Sequence, residues 1–147
     1  MRNKMVQNQR VLEKRRDLVR QKRSIEENYE YLKCRVNMTK FELTCKGQIC
    51  SDFTGKLFQI ELRYSPFQIP RVFVRKPNIP PSIKIHMYSE GNLCLYHPDE
   101  INWNKKSMIY DLTIPRIAEW IMYYELWQLT GEWEGPEYPH PINEKKK

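Results

Sequence analysis

FELTCKGQICSDFTGKLFQIELRYS, residues 41–65, reads as two strands joined by a turn. In its first part Phe41, Leu43, Cys45 and Ile49 fall on one face, and Glu42, Thr44, Lys46 and Gln48 on the other. That period of two belongs to a half-buried strand. SDFTG supplies polar and glycine turn positions, and KLFQIELRYS alternates again, with Phe58, Ile60, Leu62 and Tyr64 together. The pattern extends outward on both sides, to about 34–40 and, beyond PFQIP, to RVFVR. Strands near 34–40, 41–50, 56–65 and 71–75, so closely spaced, predict a four-stranded antiparallel meander.

Toward the N-terminus, residues 2–33 contain no Gly or Pro and are rich in helix formers, which predicts one long amphipathic helix. Met5, Leu12 and Val19 recur every seven residues, and Leu18, Ile25, Tyr29 and Leu32 keep one face apolar. The second half of the helix is expected to pack on the domain, and the first half, with few apolar anchors, to meet a partner. The net charge of +7 has a definite location: residues 1–23 hold nine Lys/Arg against two acids, and residues 24–147 hold sixteen of each. The reading is a basic helical arm at 1–23, a domain at 24–141 and a lysine-rich tail at 142–147. A nucleic-acid binder spreads basic residues over a folded face, so the balanced remainder disfavours nucleic acid as partner. An acidic patch on a protein fits the arm better, and a solvated helix face is the plainer alternative.

Toward the C-terminus, three prolines in KPNIPPS exclude a sheet interior and predict an irregular crossing. SIKIHMY then places Ile83, Ile85 and Met87 on one side and Lys84, His86 and Tyr88 on the other; Glu90-Gly91 turns the chain. In NLCLY, Leu93 and Leu95 form an apolar pair, so Cys94 is expected to face outward on the parity that carries His86. DLTIPRIAEWIMYYELWQLTG is the last long helix, capped at Asp111 or Thr113, with Ile117, Trp120, Tyr124 and Trp127 as its buried stripe and Gly131 as its stop.

A chain of 147 residues suffices for one core. No apolar run approaches the ~20 residues of a membrane span, and the basic N-terminus lacks the apolar segment of a secretory signal, so the chain reads as cytoplasmic, without a membrane partner. Four irregularly spaced cysteines, Cys34, Cys45, Cys50 and Cys94, do not form a disulfide framework. In a reducing compartment they read as core fillers plus one reactive thiol.

Cys94 is the candidate nucleophile, since a partly ionised thiol forms thioesters that transfer acyl groups readily. The rival reading is a small hydrophobe in a strand. His86 is placed to polarise the thiol or donate to an oxyanion, or else only to bridge backbone groups. Asp99, after His97-Pro98, can orient or deprotonate an incoming amine, or serve as an ordinary turn residue. Cys94, His97 and His86 fall short of the four ligands of a closed zinc site, and no metal or other cofactor is expected. With no phosphate-cradling Gly loop, an acyl group must reach Cys94 already activated or come from an existing bond.

This order of helix, meander, Pro-rich crossing, Gly-x-Leu-Cys-Leu, tryptophan loop and helix resembles the ubiquitin-conjugating enzyme fold, an α+β fold. Pro80-Pro81 match that family's proline pair, Gly91 and Cys94 its Gly-x-x-Cys, and Trp103 its tryptophan after the cysteine. A closer resemblance is to the ubiquitin-conjugating-like proteins of type II CBASS anti-phage operons. IHMYSEGNLCLYHP carries it through His86, Tyr88, Gly91, Leu93, Cys94, Leu95 and Tyr96. The C-terminal stretch carries it through Pro115, Glu119, Trp120, Tyr124, Glu125, Trp127, Thr130, Gly131, Trp133, Gly135 and His140. The resemblance implies a transferase whose cysteine takes the C-terminal glycine of a cGAS-like nucleotidyltransferase as a thioester, which primes cyclic-nucleotide signalling. A separate activating enzyme is the further partner implied, unless the operon is of the short type that lacks one. The family's upstream His-Pro-Asn is missing, and His86 occupies roughly the slot of its Asn. A non-catalytic binding module on the same fold, scaffolding the nucleotidyltransferase, is the alternative.

Overall fold

The computed structural model of the chain describes residues 2–97 and 99–137. Four strands form one antiparallel sheet in chain order: β1 Leu32–Asn37, β2 Glu42–Cys50, β3 Leu57–Tyr64 and β4 Arg71–Lys76. The meander predicted from alternation is therefore present. Leu43, Cys45, Phe58, Ile60, Leu62, Tyr64 and Val72 point to one face and are buried. Helices α1 (Arg2–Asn28), α2 (Ile109–Leu112) and α3 (Ile114–Thr130) complete the α+β architecture. Leu18 and Ile25 of α1 and Ile117, Trp120 and Ile121 of α3 join the same core. Residues 77–82, with their three prolines, carry no regular element. Among the described residues, no helix is long and apolar enough to cross a membrane.

The sequence and the structure differ over α1. The helix ends at Asn28, and Leu32, expected to be helical, opens β1 opposite Gly47. Sheet pairing outweighs a helix propensity worth only tenths of a kcal/mol per residue. The heptad Met5, Leu12, Val19 lies on the solvent side, 65%, 47% and 41% exposed. Packing runs instead through Asp17, Leu18, Gln21 and Ile25. Asp17 accepts from the Tyr64 hydroxyl. Gln21 donates to the Ser107 carbonyl at 2.9 Å and accepts from the Ile109 N–H at 3.0 Å, so that one buried amide ties α1 to the start of α2. The boundary expected between residues 23 and 24 thus falls inside a continuous helix, one face of which is buried from Asp17 on. The tail at 142–147 lies outside the described residues.

The cysteines differ too. Cys34 and Cys45 face each other across β1 and β2 and form a disulfide. Alternation gave each strand's faces but not the register that makes these two residues neighbours. Cys50 and Cys94 are the free thiols, the first exposed and the second buried. At α3, Pro115 sits in the first turn and Gly131, at φ 78°, closes the helix by donating to the Trp127 carbonyl at 2.7 Å. Thr113 makes no side-chain cap bond, because its hydroxyl is engaged with the Tyr96 hydroxyl.

Candidate active site

The SIKIHMY stretch, expected to be extended, opens instead with a 3-10 turn, Ile83–Ile85. The Ser82 hydroxyl caps this turn by accepting from the Lys84 N–H at 3.2 Å. His86 ends it in the left-handed region, φ 56°, and donates its N–H to the Ile83 carbonyl. The reversal sends residues 87–88 back alongside 92–93. Met87 bridges Leu93, the Tyr88 N–H donates to the Asn92 carbonyl at 2.9 Å, and the Cys94 N–H donates to the His86 carbonyl at 2.8 Å. Gly91 takes φ 97° at the tip, a conformation open to a residue without Cβ. The Leu93 N–H donates to the Val72 carbonyl at 2.8 Å, which docks the hairpin on β4.

Cys94 does not face outward. It is 2% exposed, between Leu93 at 4% and Leu95 at 5%, and His86 is buried as well. Alternation separates two faces only where one of them meets solvent. Here α3 and the segment 132–137 cover the side that would be open. Trp120 Nε1 donates to the Ile85 carbonyl at 2.9 Å, and Arg116 donates to the Leu95 carbonyl at 3.0 Å while lying over the Tyr96 ring. The Trp133 ring lies 5.1 Å from that of His86. The space beside Cys94, bounded by Arg116, Trp120, Tyr123, Trp133 and Pro136, is about 20 Å³.

The Cys94 thiol donates to the Tyr88 hydroxyl at 3.4 Å and to the Tyr96 carbonyl at 3.9 Å. Burial pushes the thiol pKa up, against the lowering effect of hydrogen bonding from the Tyr88 phenol and the Tyr96 backbone to the thiolate. Burial pushes the Tyr88 phenol far above its ordinary range as well, so it stays protonated and able to donate to a thiolate. Tyr88 was not assigned a role from the sequence. The signal was there: a turn at Glu90-Gly91 sets 88 opposite 92 and 86 opposite 94.

His86 reaches the site through its backbone and through its ring against Trp133. Asp99 is exposed, and its N–H donates to His97 Nδ1 at 3.1 Å, with its carboxylate 3.9 Å from the same nitrogen. The structure thus brings Tyr88 to the sulfur and pairs Asp99 with His97. Trp103 packs edge-on against Tyr64, ring centres 6.0 Å apart. Pro81 packs near Gly91. His140 lies outside the described residues.

Elsewhere, Glu125 is buried in α3 and accepts from the Ser51 and Thr54 hydroxyls, which fastens the β2–β3 turn to the helix. Charge that balances in number is segregated in space. The outer face of the sheet carries Lys33, Arg35, Lys46, Arg63, Arg71 and Arg75 against Glu42 and Glu61. Glu61 is held below the usual carboxylate range by Arg75 and Arg63, although burial opposes them. Arg63, Arg71 and Arg75 also surround the Phe73 ring, the last at 4.4 Å. By contrast, Glu119, Glu132, Glu134 and Glu137 are exposed on or beside the cover of Cys94.

The family model described as Type II CBASS E2 protein matches residues 21–141, from the buried half of α1 through the cover of Cys94. No curated protein matches the chain.

Proposed function

The chain belongs to the type II CBASS E2 proteins, and on that premise we propose that it is a cysteine-dependent conjugating enzyme of the ubiquitin-conjugating fold. Its Cys94 takes the C-terminal glycine of a cGAS-like nucleotidyltransferase as a thioester. The observation that carries the reading is the setting of Cys94, a free thiol at the end of a clamped hairpin with a protonated phenol on its sulfur. The thiol gives its proton to water, the sulfur attacks the glycine carbonyl of an acyl-adenylate or comparably activated acyl group, an S–C bond forms, and the bond to the adenylate phosphate or other leaving group breaks, releasing that group with its electron pair. Tyr88 donates to the thiolate. His86 fixes the cysteine through its carbonyl, and its imidazole is the candidate donor to the oxyanion. Asp99, in the exposed turn, remains the carboxylate for an incoming amine. The activating step belongs to a separate enzyme, unless the operon is of the short type that lacks one.

Burial of the thiol favours a second reading, a non-catalytic module that holds the nucleotidyltransferase. One experiment separates the two. The chain is co-expressed with the nucleotidyltransferase of its own operon and any activating enzyme which that operon encodes, and intact masses are read with and without added thiol. A thiol-cleavable adduct is expected, absent in Cys94→Ala and kept in Cys50→Ala; Cys94→Ser should give an oxyester that thiols do not cleave. Co-purification without any adduct selects the scaffold. An adduct that survives in Cys94→Ala removes Cys94 as the site.

A further inference from the structure

We propose that residues 132–137 are a gate over Cys94, hinged at Gly131 and latched by Trp133, which decides what reaches the thiol. The inference deepens the conjugating reading above and rests on it only for the identity of the incoming chain. The space beside Cys94, about 20 Å³, has room for about one water. An acyl group cannot enter while Trp133 and Pro136 line that space.

The latch is aromatic. Trp133 lies 5.1 Å from His86, 5.8 Å from Tyr123 and 6.2 Å from Trp120, measured between ring centres. Its Nε1 donates to the Pro136 carbonyl at 3.2 Å, folding the segment on itself. Gly135 lets the segment lie flat: a Cβ there would stand 2.7 Å from the Tyr123 ring and 3.0 Å from Trp133 Nε1. The segment has no helix or strand bonds of its own, and Gly131 before it already adopts a left-handed backbone. A cover held by ring packing rather than by a hydrogen-bonded ladder can lift without breaking the sheet. Closed, it keeps the resting thiol from stray acyl groups and oxidants. It opens to an extended tail that displaces Trp133, so Trp133 is a specificity-determining residue for the acyl donor.

Alkylation by iodoacetamide, followed by peptide mass mapping, tests the gate with no partner present. Exposed Cys50 is the internal reference. In the native protein Cys94 should react at least about tenfold more slowly than Cys50. Trp133→Ala removes the latch, and Gly135→Ala keeps the latch residue but forces the segment off Tyr123; each should raise the Cys94 rate about tenfold or more and leave Cys50 unchanged. Amide exchange in β2 and β3, measured on the same samples, should stay slow, since only global opening would raise it. A native Cys94 that reacts as fast as Cys50 overturns the gate. So do rates unchanged in both variants, or a rise matched by faster exchange in β2 and β3. Because no conjugation is involved, a gate that opens as described stands even if no adduct ever forms, and the conjugating reading alone then fails.

Discussion

Burial acts on Cys94 and on several phenols in one direction: each holds its proton more tightly folded than unfolded. Tyr64 and Tyr96 are pushed up to about 12, and Cys94 and Tyr88 are raised as well. A raised pKa adds stability that is complete below the unfolded value and is lost as pH climbs toward the folded one. The window opens near pH ~8.5 for the thiol and near pH ~10 for the phenols. The urea midpoint should therefore fall on the alkaline side in two stages, and Cys94→Ala should flatten the first and leave the second. A Cys94→Ala profile that falls like the native one from pH ~8.5 would show that the thiol is not held protonated. Glu61 is opposite in sign, its pKa lowered, and its contribution fades as pH falls into the carboxylate range. With its pKa raised, the resting thiol is less ionised at neutral pH than a solvated one. Displacing the cover rehydrates the sulfur and removes the main reason for its high pKa, so reactivity follows access.

Among the elements, α1 divides at Asp17. Before it the helix is largely exposed; from it onward Asp17, Leu18, Gln21 and Ile25 are buried. Deleting residues 1–12 should leave the urea midpoint nearly unchanged. Deleting 1–20 removes Leu18 from the core and the Asp17 carboxylate from the Tyr64 hydroxyl, and should cost at least the ~2–5 kcal/mol of a buried leucine truncation. Equal midpoints for the two deletions would refute this division. The sheet was legible in the sequence, because Leu43, Cys45, Phe58, Ile60 and Leu62 have one buried face and one wet one. Met5, Leu12 and Val19 misled because a heptad marks a seam only if something covers it. Residues 83–94 misled for a different reason: the left-handed His86 and the turn at Gly91 break the alternation, and the cover comes from residues about forty positions later. Cys94 was singled out as the candidate from its motif, while its burial depends on long-range packing that no local pattern encodes.

At the scale of the whole molecule, the chain carries +7, yet the basic arm and the outer face of the sheet lie apart from the acids around the cover of Cys94. Association with an acidic partner should be fast at low salt and slow steeply as the Debye length shrinks below ~10 Å above 0.1 M. Removing residues 1–12, or replacing Arg63 and Arg71 together by Gln, should lower the association rate and its salt dependence far more than it raises the dissociation rate. Stopped-flow traces at two ionic strengths would decide, and rates indifferent to both salt and substitution would dismiss the electrostatic account. The separation has a further effect on timing. A protein steered to the sheet face arrives beside the cysteine hairpin, where Arg71 pairs with Glu90 at 3.8 Å and Phe73 bridges Asn92, and not on the acidic cover of the thiol. Arrival and turnover then answer to different side chains, so charge substitutions can slow the first while the second keeps its own clock.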